Sequence, residues 1–149
     1  MRATIHLFDI EMEPYLDTKI YITEQITPIF AYFADKFPCT VGSEFLGDQL
    51  PFGLINKNGV RNETLTDLSF PDQSFDILIS LDVFEHIPDY NFAFKECARV
   101  LRTGGKMMWS VPFIPSSPTN FIRAKIEDGV VVHIQPPEYH GDPLSGDGV

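Results

Sequence analysis

The feature that most narrows what this chain can fold into is the run Phe75-Asp76-Ile77-Leu78-Ile79-Ser80-Leu81, which follows a Pro71-Asp72 turn and is apolar at almost every step. A strand with one face in water alternates apolar and polar residues. A strand apolar throughout is covered on both faces, as in a parallel sheet flanked by helices. The segments before it fit that setting. Residues 19–23 read as a short β-rich strand, 27–37 as a helix and 39–42 as a second strand. Thr27 stands at the N-cap and Pro28 at the first helical position, where its missing N–H costs nothing. Ile26, Ile29, Phe30, Phe33 and Phe37 recur at the three-and-four spacing of one helix face, and Pro38 stops the run. Residues 60–63 are expected as a third strand. After the apolar run, Phe94, Cys97, Ala98 and Leu101 share a helical stripe that ends at Gly104-Gly105, and residues 106–111 make a fifth strand. Alternation of strand and helix predicts an α/β fold with a doubly wound, mostly parallel sheet.

Past Pro112 the pattern changes. Residues 121–126 and 130–134 are strand-like runs joined by Asp128-Gly129, a hairpin turn signal, and the stretch from Pro136 onward, rich in Pro, Gly and Asp, reads as loop. With 149 residues, 44% of them hydrophobic, the chain can bury one core, so a single domain is expected. Its parts are an N-terminal extension (1–18), a sheet-and-helix core (19–113), a hairpin (121–134) and a C-terminal loop (135–149). The 21 acidic against 11 basic residues give a net charge of -10, which repels a phosphate backbone, so no nucleic-acid partner is expected. No apolar run reaches membrane-spanning length and no secretory pattern opens the chain, which points to no membrane partner and a cytoplasmic location. Cys39 and Cys97 lie outside any C-x-x-C pattern, so neither a disulfide framework nor a zinc site is read from them.

Residues 68–87, ending in Leu81-Asp82-Val83-Phe84-Glu85-His86-Ile87, closely resemble the fourth-strand motif of class I S-adenosylmethionine-dependent methyltransferases. Glu96-Cys97-Ala98-Arg99-Val100-Leu101-Arg102-Thr103-Gly104-Gly105-Lys106 resembles that family's E-x-x-R-V-L-K-P-G-G segment at the family's spacing. The two cover roughly the middle third of the chain. The resemblance implies a Rossmann-like methyltransferase fold and S-adenosyl-L-methionine as cofactor. It places Glu44 on the ribose hydroxyls, with a solvated surface glutamate as the alternative, and Phe45 against the adenine. The family's adenine-binding aspartate falls at Thr64, a departure that leaves a hydroxyl acceptor and the Leu65 backbone N–H for the ring. Ser80, Leu81 and Asp82 would line the methionine end; Asp82 either faces the ammonium or substrate or caps a helix. Asp82, Glu85 and His86 are the candidate catalytic groups, although Glu85-His86 equally suits a loop-fixing hydrogen bond, because methyl transfer needs chiefly alignment.

The first strand departs most. In the family its end carries a G-x-G-x-G turn, whereas here the aligned stretch is Ile22-Thr23-Glu24-Gln25-Ile26-Thr27-Pro28, without glycine. Either the site is rebuilt, with Thr23, Glu24 and Gln25 supplying polar contacts, or cofactor binding is lost. A bacterial methyltransferase-like subgroup associated with glycan or natural-product loci resembles this stretch, the segment Gly42-Ser43-Glu44-Phe45-Leu46-Gly47, and Pro137-Glu138-Tyr139-His140-Gly141-Asp142-Pro143. Glu138, Tyr139 and His140 are therefore substrate-side candidates. Glu138, His140 and Asp142 alternate as metal ligands could, but they suit a hydrogen-bonded loop better, and no metal is expected.

The resemblance further implies a shortened C-terminus, since the family's sheet continues past the fifth strand with a helix and an antiparallel strand pair. A fifth strand left at a sheet edge predicts a homodimer. The leading expectation is methyl transfer to a small-molecule acceptor, of glycan or natural-product type. Its rival is a non-catalytic interaction module with impaired cofactor binding. A nicotinamide-dependent oxidoreductase would need a G-x-G-x-x-G turn that this sequence lacks.

Overall fold

The computed structural model describes residues 2–47, 50–119 and 121–137. They belong to two compact units, Met1–Val111 and Pro112–Val149. The first contains α1 (Arg2–Glu11), β1 (Ile20–Ile22), α2 (Pro28–Lys36), β2 (Thr40–Gly42), β3 (Phe75–Leu81), a 3₁₀ turn at Phe84–His86, α3 (Tyr90–Val100) and β4 (Leu101–Ser110). The strands lie in the order β2-β1-β3-β4 and every neighbouring pair is parallel. This is the doubly wound α/β sheet that the apolar run required.

The run is apolar because its side chains feed two cores. Successive residues of a strand point to opposite faces. Ile77 and Ile79 of β3, with Ile20 and Ile22 of β1, join Phe8, Ile29, Phe33, Phe37 and Met108 on one face. Leu78 and Tyr21 join Leu65, Leu68, Phe75, Phe84, Ala93, Cys97 and Val100 on the other. Burial pushes the Cys97 thiol up to about 12, which makes it a core side chain and a poor nucleophile.

α2 begins as its sequence predicts, the Thr27 hydroxyl accepting from the Phe30 N–H at 3.2 Å with Pro28 in the first turn. Its buried face starts at Ile29 and continues to Phe33. Ile26, expected on that stripe, lies before the helix and is exposed. Residues 1–18, expected as an extension, contain α1, whose Phe8 is fully buried and meets the Phe33 ring edge-on at 4.5 Å. Burying such a ring stabilises the fold by roughly 1.5–3 kcal/mol.

Two further expectations are corrected. Residues 60–63 do not form a strand but touch their neighbours through isolated bridges, Glu44 with Asn62 in parallel and Ile55 with Arg61 antiparallel. The side chain of Asn62 replaces ladder bonds there. It accepts from the Leu46 N–H at 2.7 Å and donates to the carbonyls of Gly47 and Leu50. The second correction concerns α3, which ends at Val100 so that Leu101 already belongs to β4. Gly104-Gly105 lie inside β4, where the register jumps from Phe75 opposite Leu101 to Ile77 opposite Lys106. Gly104 takes φ +81°, and a Cβ on Gly105 would fall 2.9 Å from the Arg102 carbonyl oxygen, so both glycines are required by the bulge.

In the second unit β5 (Ala124–Glu127) pairs antiparallel with β6 (Val130–His133). Asp128 at φ 50° and Gly129 at φ 78° supply the two left-handed residues that a two-residue hairpin turn of this twist needs. Among the described residues no helix is long and apolar enough to cross a membrane.

Candidate functional site

From β1 the chain passes through α2 to β2 on one side and then to β3 on the other. The strand order therefore reverses at β1, and a crevice is defined between the carboxyl ends of β1 and β3, where open α/β sheets take their ligands. The residues that follow those two strands are Thr23-Glu24-Gln25 and Asp82-Val83.

Glu24 spans the crevice. One carboxylate oxygen accepts from the Leu81 backbone N–H at 2.9 Å and the other accepts from the Thr23 hydroxyl. Thr23 is tied in turn to Ser80 Oγ at 3.0 Å and, through its backbone N–H, to the Ile79 carbonyl at 3.1 Å. Burial pushes the Glu24 carboxyl up to about 7 against the lowering effect of those two donors, and the nearby Glu44 and Asp82 carboxylates add to the rise.

Gln25 turns the other way and holds the turn in place. Its Nε2 donates to the Gly59 carbonyl at 2.8 Å, its Oε1 accepts from the Arg61 N–H at 2.9 Å, and its backbone N–H donates to the Ser43 carbonyl at 2.9 Å. Glu44, just past β2, accepts from the Ile26 N–H at 2.7 Å. The glycine-free turn is thus fixed by its own Glu24 and Gln25 side chains, which bond to backbone of neighbouring segments, and by the Glu44 side chain. Gly42 lies under it, where an added Cβ would fall 2.5 Å from the Phe30 ring and 2.9 Å from Gln25.

The remaining expected residues divide. Asp82 is exposed at the crevice and takes φ +56°, uncommon for a residue with a side chain. Its carboxylate accepts from Ser110 Oγ at 2.9 Å and its N–H donates to the Ser110 carbonyl at 3.0 Å, and Val83 caps the turn that follows, so Asp82 is no helix cap. Glu85 and His86 lie exposed in the 3₁₀ turn with 3.9 Å between Oε1 and Nε2. Phe45 is 62% exposed and packs loosely on Phe52. Thr64 pairs its hydroxyl with Thr66 at 3.0 Å. The Leu65 side chain is buried in the core, leaving only its backbone for a ligand. Glu138, Tyr139, His140 and Asp142 lie outside the described residues. Among the described residues no group of three or more metal-ligating side chains comes together.

The E-x-x-R segment has a structural task. The Arg99 guanidinium makes paired bonds to Glu96 at 2.8 and 2.7 Å and reaches the Phe70 carbonyl at 2.8 Å, the Leu68 carbonyl at 2.7 Å and Asp72 at 2.9 Å. Glu96 also accepts from the Leu68 N–H at 2.9 Å, and Arg99 holds its carboxyl below the usual range. The pair clamps the segment entering β3 onto α3. A second network, unforeseen in the sequence, buries Glu63 between Arg61 at 2.7 Å and Ser69. Arg61 also lies over the Phe70 ring, 4.4 Å from its centroid.

A cavity of about 370 Å³ opens at the other end of the sheet, lined by Tyr15, Asp17, Lys19, Asp76, Arg102 and neighbours. Asp76 accepts there from the Lys19 N–H at 2.8 Å and pairs with Arg102 at 2.7 Å. It lies at the amino ends of β1 and β3, away from the strand-order reversal, so it is not the candidate site.

A parallel α/β sheet whose strand order reverses between β1 and β3 defines a Rossmann-like fold. Known proteins narrow that class. Residues 47–109 match the family model described as a methyltransferase domain. The probable S-adenosylmethionine-dependent methyltransferase Rv3030 of Mycobacterium tuberculosis is 42% identical over 53 residues, 36% of this chain and 19% of that protein. The ubiquinone biosynthesis O-methyltransferase of Idiomarina loihiensis is 42% identical over 56 residues, 38% of this chain and 22% of its own length. The chain thus spans about a fifth of the curated relatives it matches. Among solved structures, the YcgJ protein of Bacillus subtilis superposes with a TM-score of 0.61 at 20% identity, over 79% of this chain and 54% of that one. The cyclase SpnF superposes with a TM-score of 0.52 at 17% identity, over 71% and 42%. Over residues 47–109, and in the fold of its parallel sheet, the chain is similar to class I S-adenosylmethionine-dependent methyltransferases.

Proposed function

We propose that this chain is an S-adenosylmethionine-dependent methyltransferase domain that moves the methyl group of its cofactor to a small-molecule acceptor, of glycan or natural-product type. The observation that carries the reading is the gathering of polar side chains from three strand ends, Glu24 after β1, Glu44 after β2 and Asp82 after β3, at the strand-order reversal. This donor set fits the group. Carboxylates suit ribose hydroxyls, an ammonium and a sulfonium, whereas they would repel the pyrophosphate of a dinucleotide. Glu44 would hold the ribose, the Leu65 backbone with Thr64 and Phe45 the adenine, and Thr23, Glu24, Gln25, Ser80, Leu81 and Asp82 the methionine end. When bound, the cofactor supplies an electrophilic methyl group on sulfur. The chain's contribution is alignment: Asp82, held by Ser110, orients the acceptor, and Glu85 with His86 takes its proton where the acceptor has one to lose.

A small acceptor accords with two relatives whose names carry one, the ubiquinone biosynthesis enzyme and the 27-O-demethylrifamycin SV methyltransferase of Amycolatopsis mediterranei. Glu138, Tyr139 and His140 belong to the same proposal as acceptor-side residues, and a cytoplasmic location goes with it. So does pairing of two copies along β4, an outer strand of the sheet with a half-exposed Trp109; light scattering over a concentration series should report twice the chain mass.

One observation favours a second reading, an interaction module with impaired cofactor binding: Glu24 already occupies the Leu81 N–H. Calorimetry separates the two. Saturable binding of S-adenosylmethionine is expected, and Glu44→Ala should weaken it by about 1.5–3 kcal/mol, the loss of a charge-assisted hydrogen bond. Absence of binding at millimolar cofactor would leave the module reading.

A further inference from the structure

We infer that Glu24 makes the crevice charge-selective, favouring the cationic sulfonium form of the cofactor over its neutral thioether product; the inference rests on the cofactor reading above. The glycine-free turn brings a carboxylate to the crevice, held in place by the Leu81 N–H at 2.9 Å and the Thr23 hydroxyl. S-adenosylmethionine carries a sulfonium, an ammonium and a carboxylate, hence a net positive charge. Loss of the methyl group turns the sulfonium into a thioether and leaves no net charge. A fixed anion in a poorly solvated crevice distinguishes these two ligands, which are otherwise nearly the same in shape.

The charges that face Glu24 reinforce the preference. β1 and β2 contain no ionisable acid or base besides the Tyr21 phenol, which burial keeps protonated. Besides the Tyr32 phenol, α2 carries Asp35 and Lys36 only at its far end, and β3 carries Asp76 only at its opposite end. The groups acting on the Glu24 carboxylate are Glu44 and Asp82, both anionic. With its carboxyl raised to about 7, chiefly by burial, Glu24 is part protonated near neutrality. Both ligands carry the ammonium, but only S-adenosylmethionine adds the sulfonium cation, so it draws Glu24 further toward the ionised form and releases more of its proton than the thioether does.

The test compares dissociation constants for S-adenosylmethionine and S-adenosylhomocysteine by calorimetry between about pH 5.5 and 7.5. A cation that lowers the Glu24 pKa by one unit shifts the ratio of the two constants by up to about tenfold over that range, the sulfonium form gaining as pH rises. Glu24→Gln keeps an acceptor for the Leu81 N–H and should show a flat ratio. Repeating the wild-type titration in buffers of different ionisation enthalpy should reveal more proton release with S-adenosylmethionine than with S-adenosylhomocysteine, which keeps the test decisive even if the variant fails to fold. A pH-independent ratio in the wild type, or the same slope in Glu24→Gln, overturns the inference while leaving cofactor binding intact. Failure of both ligands to bind overturns the cofactor reading, and the inference with it.

Discussion

The β3–α3–β4 region and the turn after β1 resemble the same family to opposite degrees, and what each residue does explains the difference. In β3–α3–β4 the matching residues are framework: Glu96 and Arg99 bind each other and the 68–72 segment, and Gly104-Gly105 form a bulge. These tasks are set by backbone geometry and tolerate little change whatever the ligand. The turn after β1 contains no glycine, yet it is no looser, because Gln25, Glu44 and Glu24 fix it through side chains. Familiar motifs report the scaffold here, and the chemistry that would distinguish this chain lies where the motif is missing.

Breaking the framework should have the largest effect. Arg99→Ala removes the clamp and leaves the Leu68 and Phe70 carbonyls without their donor, so unfolding in urea should show a loss of about 3 kcal/mol. A loss under 1 kcal/mol would mean that the entry to β3 is held by packing alone.

The turn should respond to pH instead. Glu24 has a folded-state pKa of about 7, above its ordinary 4.5, so the folded chain binds this proton more tightly than the unfolded one. Stability from that proton is present below pH 4.5 and is lost as pH rises through 7. Glu24→Gln removes the loss, and at pH 8 it should be more stable than wild type by on the order of 2 kcal/mol, while the two converge in mild acid. Equal stability at both ends would place Glu24 in a well-solvated setting.

The smallest expected effect sharpens the comparison most. Gln25→Ala deletes two hydrogen bonds, one from a side-chain amide and one to it, and should cost about 1 kcal/mol in chemical denaturation. Gln25→Gly tests whether the side chain obstructs or builds the site. Tighter S-adenosylhomocysteine binding would show obstruction, and weaker binding would show that Gln25 is part of a rebuilt turn.

What was legible in the sequence was local. Thr27-Pro28 at a helix start, Asp128-Gly129 in a hairpin and the apolar run of β3 each declare themselves within a few residues, and each is found as expected. Residues 60–63 misled because β propensity records a pleated, half-buried setting, which the Asn62 side chain supplies without a ladder. Phe8 was missed because α1 buries only that one residue, too few for a periodic stripe to stand out. The contacts of Glu24 were beyond reach for another reason: its partner Leu81 lies 57 residues along the chain, so only the folded sheet brings them together.

The same separation has a consequence in time. During synthesis β1 can pair with β2 as soon as the strand–helix–strand segment ending at Gly42 has emerged, but its other edge must await residues 75–81. Until then Ile20, Tyr21 and Ile22 offer an open row of backbone groups flanked by apolar side chains, which is also what a neighbouring nascent chain would pair with. The strand that organises the finished sheet is thus made before both of its neighbours and enclosed only when β3 arrives. Yield on expression should follow how quickly the ribosome delivers β3, so slowing translation between residues 43 and 74 would favour aggregates without altering a single side chain.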